Sequence, residues 1–175
     1  KDKKVFVDLK FFDVPETVAR TISRLSDYGA TFATIHGNQA LMEKASENKN
    51  DLKILAVTAL TSLDRGDLDD LGFDCDVQDL VISRAKRAFE AGCDGIVSSG
   101  LEVPFIRKYV DNKLICVTPG IRPVANDDDQ KRVVDVATAF KSGSDYIVVG
   151  RPIKNALNRY EAASNIQKII KKTFE

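Results

Sequence analysis

Short runs of apolar and β-branched residues recur at 5–10, 31–36, 52–60, 94–98, 113–118 and 145–149. Each gives way to a stretch in which apolar positions return every three or four residues. The first kind of run predicts a buried strand and the second an amphipathic helix. The helical stretches cover 14–28, 38–48, 77–91, 101–110, 132–142 and 155–173, with Val18, Ile22 and Leu25 on the apolar stripe of the first. No tight-turn signal of the hairpin kind separates successive strands, so the pattern predicts six β-then-α units with parallel strands.

A weak internal repeat supports this reading: Gly29 to Gly37, Gly92 to Gly100 and Gly143 to Gly150 each frame a strand between two glycines. The leading glycine of each is expected to end the preceding helix in the left-handed conformation. The trailing one lets the chain turn or a ligand approach the backbone at the strand's exit. Parallel α/β units build either an open doubly wound sheet or a barrel. Asp8, Lys10, Thr61, Ser99, Thr118 and Arg151 fall at the C-terminal ends of several different strands. That distribution suits the mouth of a TIM-type barrel, because an open sheet gathers its functional groups at one switch point. Six units are two short of the usual eight.

Composition narrows the partners. The 175 residues are 43% apolar, enough for one domain with a substantial core, and Lys plus Arg equals Asp plus Glu at 26 each. With no net field to attract nucleic acid or an anionic membrane, any anion site must be local. Cys75, Cys93 and Cys116 are widely spaced and His36 is the single histidine, a poor basis for a zinc site or a disulfide framework. No apolar run approaches the ~20 residues that cross a bilayer, and the charged start at Lys1 to Lys4 leads into a strand. A small-molecule or self partner in the reducing cytoplasm is expected, with no nucleic acid or membrane.

The strongest candidate chemistry lies in Asp8-Leu9-Lys10-Phe11-Phe12-Asp13, where a strand delivers three charges just before a helix. Side chains alternate along a strand, so Asp8 and Lys10 are expected on one face, with Asp8 holding a protonated Lys10 as a proton donor. A structural ion pair at a barrel rim is the plain alternative. Asp13-Val14-Pro15-Glu16 also reads as a helix start, with Asp13 as N-cap and Glu16 at the third position. Gly150-Arg151-Pro152 follows the last strand, where backbone amides and a guanidinium can hold a phosphate; a surface arginine at a turn is the alternative. Thr118 to Pro123 opens the longest polar loop, which carries Asp127, Asp128, Asp129 and Gln130. The loop could cover a ligand, with Gln130 a contact and the three aspartates solvated. His36 reads as a core or rim histidine, and Thr61 and Ser99 can be no more than strand-end hydrogen-bonders.

These motifs together resemble the orotidine 5'-phosphate decarboxylase family. Asp8 to Thr17 is similar to its Asp-x-Lys-x-x-Asp signature, and Ala56 to Ser62, Thr118 to Pro123 and Val149 to Ile153 follow in the family's order. The resemblance implies cofactor-independent decarboxylation of orotidine 5'-monophosphate to UMP in de novo pyrimidine synthesis. Lys10 would protonate C6, and Asp8 would press on the leaving carboxylate and order the lysine. Asp13 and Thr17 would serve the site of a partner in a homodimer. Thr61, Ser99, Arg122 and Gln130 would contact substrate, and Gly150 and Arg151 would grip the phosphate. A metal-dependent phosphosugar decarboxylase or aldolase is the neighbouring enzymatic alternative, and an inactive fragment that binds nucleotide is the non-catalytic one.

The resemblance also implies departures. Phe12 stands where a histidine is common and Glu16 where an asparagine is common. The family has two further βα units before the signature strand, which supply a ribose-binding aspartate and a second lysine. Residues 1–175 would then be units three to eight of one incomplete barrel. Lys1, Lys3 and Lys4 lie at the other end of the first strand, roughly 20 Å from its exit, and cannot substitute. Little or no activity is expected of these residues alone.

Overall fold

The computed structural model describes residues 3–122 and 132–175. Six strands, β1 (Phe6–Phe11), β2 (Phe32–His36), β3 (Lys53–Val57), β4 (Gly95–Val97), β5 (Ile115–Thr118) and β6 (Tyr146–Ile147), pair in sequence order, every pair parallel. Sequential order without a switch point excludes the doubly wound alternative. The sheet curls: the rings of Phe32 on β2 and Tyr146 on β6 meet edge to face at 5.3 Å. In a flat sheet, strands four positions apart would lie roughly 19 Å from each other.

The helices cover the outer face. They are α1 (Pro15–Asp27), α2 (Gln39–Glu47), α3 (Arg65–Asp70), α4 (Val77–Glu90), α5 (Val103–Tyr109), α6 (Val136–Lys141), α7 (Arg151–Lys154) and α8 (Arg159–Phe174). Strand alternation divides the core in two. Ala33, Ile35, Ile54, Ala56, Ile96 and Cys116 point outward to meet Val18 and Ile22 of α1, Met42 of α2 and Ala85 of α4. Phe32, Leu55, Val57, Val97 and Val117 point inward with Phe6 and Val148. Fully burying a side chain such as Ile22 stabilises the fold by about 1.5–3 kcal/mol, which fixes the register of α1 on the sheet.

The repeat has a structural meaning at both ends of its strands. Gly29, Gly92 and Gly143, with φ of 74°, 81° and 101°, each stand two residues after the last residue of α1, α4 and α6. Asp94 and Asp145, each two residues after such a glycine in sequence, do equivalent work at the N-terminal face. Asp94 accepts from the Ile54 amide at 2.9 Å and pairs with Lys49 at 2.8 Å. Asp145 accepts from the Cys116 amide at 2.8 Å and pairs with Arg107 at 2.7 Å. Residues at this face of a barrel serve stability.

Three local expectations are corrected. The helix expected from 155 begins at Arg159, because Asn158 accepts from the Glu161 amide, and Arg151–Lys154 forms a separate turn of helix. The chain also forms α3, started by a reciprocal Asp64 and Asp67 capping box that the apolar pattern does not reveal. Finally, Asp13 is not the cap of α1. Val14 occupies that position without a side-chain cap bond, and Asp13 accepts from the Val14 amide at 2.6 Å.

Candidate active site

The strand ends meet at an open cavity of about 280 Å³. Its floor is the top of the inner core, Phe6, Val57, Val97 and Val148, and its polar wall comes from Asp8, Lys10, Thr61, Arg122 and Arg151. Backbone from Pro119, Gly120 and Gly150 completes the rim. Gly120 has φ +76°, a conformation that turns the chain sharply after β5. At Gly150 a Cβ would meet nothing within 4 Å, so its role there is not steric.

Lys10 Nζ donates to Asp8 Oδ2 at 2.8 Å. Regular alternation predicts the shared face but misses how it is reached. Val7 pairs with Ala33 and Phe11 with Ile35, so β1 advances four residues while β2 advances two. The surplus is taken up as a bulge in which Lys10 adopts φ +51°. A lysine in this left-handed region costs about 1–2 kcal/mol, and residues held so are concentrated at functional sites. The compensation comes from Thr34 on β2, which is fully buried. Its hydroxyl accepts the Lys10 amide at 2.9 Å and donates to Asp8 Oδ1 at 2.9 Å.

The other expected site residues divide between cavity and surroundings. Thr61, Arg122, Gly150 and Arg151 line the cavity with Asp8 and Lys10. Arg122 is buried and donates to the Ile121 carbonyl at 2.9 Å. Ser99 does not line it: it is buried, donates to the Arg132 carbonyl and accepts from the Leu101 amide. Asp13 is exposed and Thr17 half-buried, and neither lines the cavity. Gln130, with Asp127 to Asp129, lies outside the described residues.

Two features escape a linear reading. Thr34 resembles any β-branched strand residue, and only its pairing beside Asp8 distinguishes it. Arg132 crosses behind the wall to Glu102 at 2.7 Å and the Leu60 carbonyl at 2.7 Å, tying the exits of β3 and β4 together. His36, expected at the core or rim, is half-buried at the end of β2, its ring tilted against Phe12 with centres 4.8 Å apart. Burial, and then the charges of Arg84 and Lys10, hold its pKa below the usual histidine value. The buried Cys93 and Cys116 thiols are pushed up to about 11 by desolvation, which makes them core residues rather than nucleophiles.

Comparison with known proteins agrees with this arrangement. Residues 1–166 match the model of the orotidine 5'-phosphate decarboxylase / HUMPS family. The chain is 64% identical over 176 residues to an orotidine 5'-phosphate decarboxylase of Methylococcus capsulatus, covering 99% of this chain and 73% of that protein. A protein of the same name from Stenotrophomonas maltophilia is 50% identical, with 97% of this chain and 72% of that one covered. Among solved structures, orotidine 5'-phosphate decarboxylase from Lactobacillus acidophilus superposes with a TM-score of 0.82 at 33% identity, over 95% of this chain and 75% of that one. With its signature strand, its curled parallel sheet and its match over nearly the full length, the chain belongs to the orotidine 5'-phosphate decarboxylase / HUMPS family.

Proposed function

We propose that the protein decarboxylates orotidine 5'-monophosphate to UMP in pyrimidine synthesis, without a metal or cofactor, and that Lys10 delivers the proton. The reading rests on the Lys10–Asp8 pair in the cavity wall, 2.8 Å apart. Among the described lining residues, Arg122 and Arg151 carry positive charge on the same wall. The substrate carries a phosphate dianion and a carboxylate, anionic groups of the kind that lysine and arginine side chains bind. The name shared by the curated relatives favours this reaction over the phosphosugar chemistry that the broader family includes.

Departure of carbon dioxide leaves an electron pair at C6 of the pyrimidine, which water stabilises poorly. A lysine already fixed by Asp8 can face that charge as it forms and then transfer a proton, with no reorganisation at the moment of reaction. The Asp8 carboxylate lies beside the leaving group and opposes the ground state more than the transition state. Apolar Val57, Val97 and Val148 would dry the base, while Arg151 and the Gly150 amide at the start of α7 would hold the phosphate. Thr61, Arg122, Ser99 and Gln130 would orient the rest of the nucleotide, Ser99 through the strand end it braces.

The protein is further proposed to act as a cytoplasmic homodimer in which Asp13 and Thr17 serve the neighbouring site. The exposure of Leu9, Phe12 and Val14 around Asp13 supports an interface there. No helix among the described residues is long and apolar enough to cross a membrane. Strands β1 and β6 end the sheet without pairing to each other. That opening supports the view that residues 1–175 supply six of eight barrel units. The deciding experiment follows loss of orotidine 5'-monophosphate and release of carbon dioxide by the protein made from its complete coding region. Turnover unchanged by EDTA supports the proposal; no turnover, or turnover that EDTA removes, refutes it.

A further inference from the structure

We infer that Thr34 is a positioning residue for this site, fixing the lysine and the aspartate through one hydroxyl. Its oxygen has two jobs that no other described side chain shares. As acceptor it holds the Lys10 amide at 2.9 Å, and as donor it holds Asp8 Oδ1 at 2.9 Å, while Asp8 Oδ2 holds Lys10 Nζ at 2.8 Å. The result is a closed ring running from the Lys10 backbone through Thr34 and Asp8 to the Lys10 side chain.

Each part of the ring has a physical purpose. The left-handed Lys10 backbone, φ +51°, breaks the ladder between Val7 and Phe11 and leaves an amide that β2 does not pair through its main chain. A hydroxyl reaching from β2 satisfies that amide where a valine or isoleucine would leave it orphaned. The same hydroxyl occupies one oxygen of Asp8, so the carboxylate cannot rotate and only Oδ2 remains for Lys10. Thr34 is itself held rigidly: it is fully buried on β2, a strand paired on both sides, and its chain neighbours Ala33 and Ile35 are anchored in the outer core. It therefore transmits the rigidity of β2 to a pair on the edge strand β1 whose side chains are more than a third exposed.

This inference rests on the proposed decarboxylation for its rate consequence but not for its structural one. Thr34→Val keeps the shape and removes the hydroxyl. Thr34→Ser and Thr34→Ala form a second, smaller pair that differ chiefly in the hydroxyl, so the comparison survives if the valine variant fails to fold. In the protein made from its complete coding region, Thr34→Val and Thr34→Ala should lose about 10- to 100-fold in kcat, the range of lost support behind a functional group. KM for orotidine 5'-monophosphate should change by less than about 3-fold, because the phosphate grip is untouched. Thr34→Ser should restore kcat to within about 3-fold of the parent. Hydrogen exchange of the Lys10 amide, measured without substrate, should accelerate in the valine and alanine variants and not in the serine one. Equal kcat in Ser and Ala variants, or unchanged protection of the Lys10 amide in both hydroxyl-free variants, would overturn the assignment. Absence of turnover in the parent protein would refute the proposed reaction instead, while the exchange result would still decide the role of Thr34.

Discussion

The Lys10 ammonium stands 2.8 Å from the Asp8 carboxylate on a backbone turned to φ +51°, so the central ion pair of the cavity is mounted on a bulge rather than on a regular strand. Lys10→Ala should remove the proton donor and the fixed positive charge together. A loss of about 10⁴-fold or more in kcat is expected from the two effects combined. UMP affinity, measured by calorimetry, should fall by less than about 10-fold, since the phosphate contacts remain. A modest rate loss would show that another group supplies the proton.

Arg151 opens α7 at the cavity rim beside Gly150. Arg151→Ala should raise KM for orotidine 5'-monophosphate by roughly 10- to 150-fold, the equivalent of a charged hydrogen bond of about 1.5–3 kcal/mol. With orotidine, which lacks the phosphate, the same substitution should have almost no effect on kcat/KM. An equal effect on both substrates would place the arginine elsewhere in the mechanism.

His36 provides a pH signature. Burial, Arg84 and Lys10 lower its folded-state pKa, so the unfolded chain binds this proton more readily than the folded one. Its contribution is therefore fully present above the unfolded value of 6.5 and is lost as pH falls through 6.5 towards the depressed folded value. Denaturant titrations at pH 7.5 and 5.5 should show a smaller loss of stability for His36→Gln than for the parent. In NMR titrations Arg84→Met and Lys10→Ala should each raise the His36 pKa.

Two glycines separate packing from backbone strain. At Gly95, a Cβ would lie 2.7 Å from Ile115 Cβ and 2.8 Å from Leu55 Cδ2, inside the closest part of the sheet. Gly95→Ala should cost about 1–3 kcal/mol or more through overpacking. At Gly29 a Cβ meets nothing within 4 Å, and the penalty for Gly29→Ala should be the smaller one of its φ of +74°, about 1 kcal/mol. Chemical denaturation of both variants tests the ranking.

The sequence by itself determined the architecture and most of the cavity. Strand and helix periods predicted six parallel units because inward and outward faces of a buried sheet must both be apolar. The glycines at 29, 92 and 143 marked where helices end because few other residues tolerate that conformation. Asp8, Lys10, Thr61, Gly150 and Arg151 were legible as strand-end residues of distant segments, and Arg122 through the family resemblance. The tertiary structure decided what local patterns do not encode. The bulge at Lys10 depends on the pairing of β1 with β2, and the support from Thr34 depends on that same register. Ser99 bonds the Arg132 carbonyl across the fold, whereas Asp13 loses the cap role locally, its carboxylate taking the adjacent Val14 amide. Residue type and spacing thus fixed which charges reach the mouth; long-range hydrogen bonds fixed their orientation.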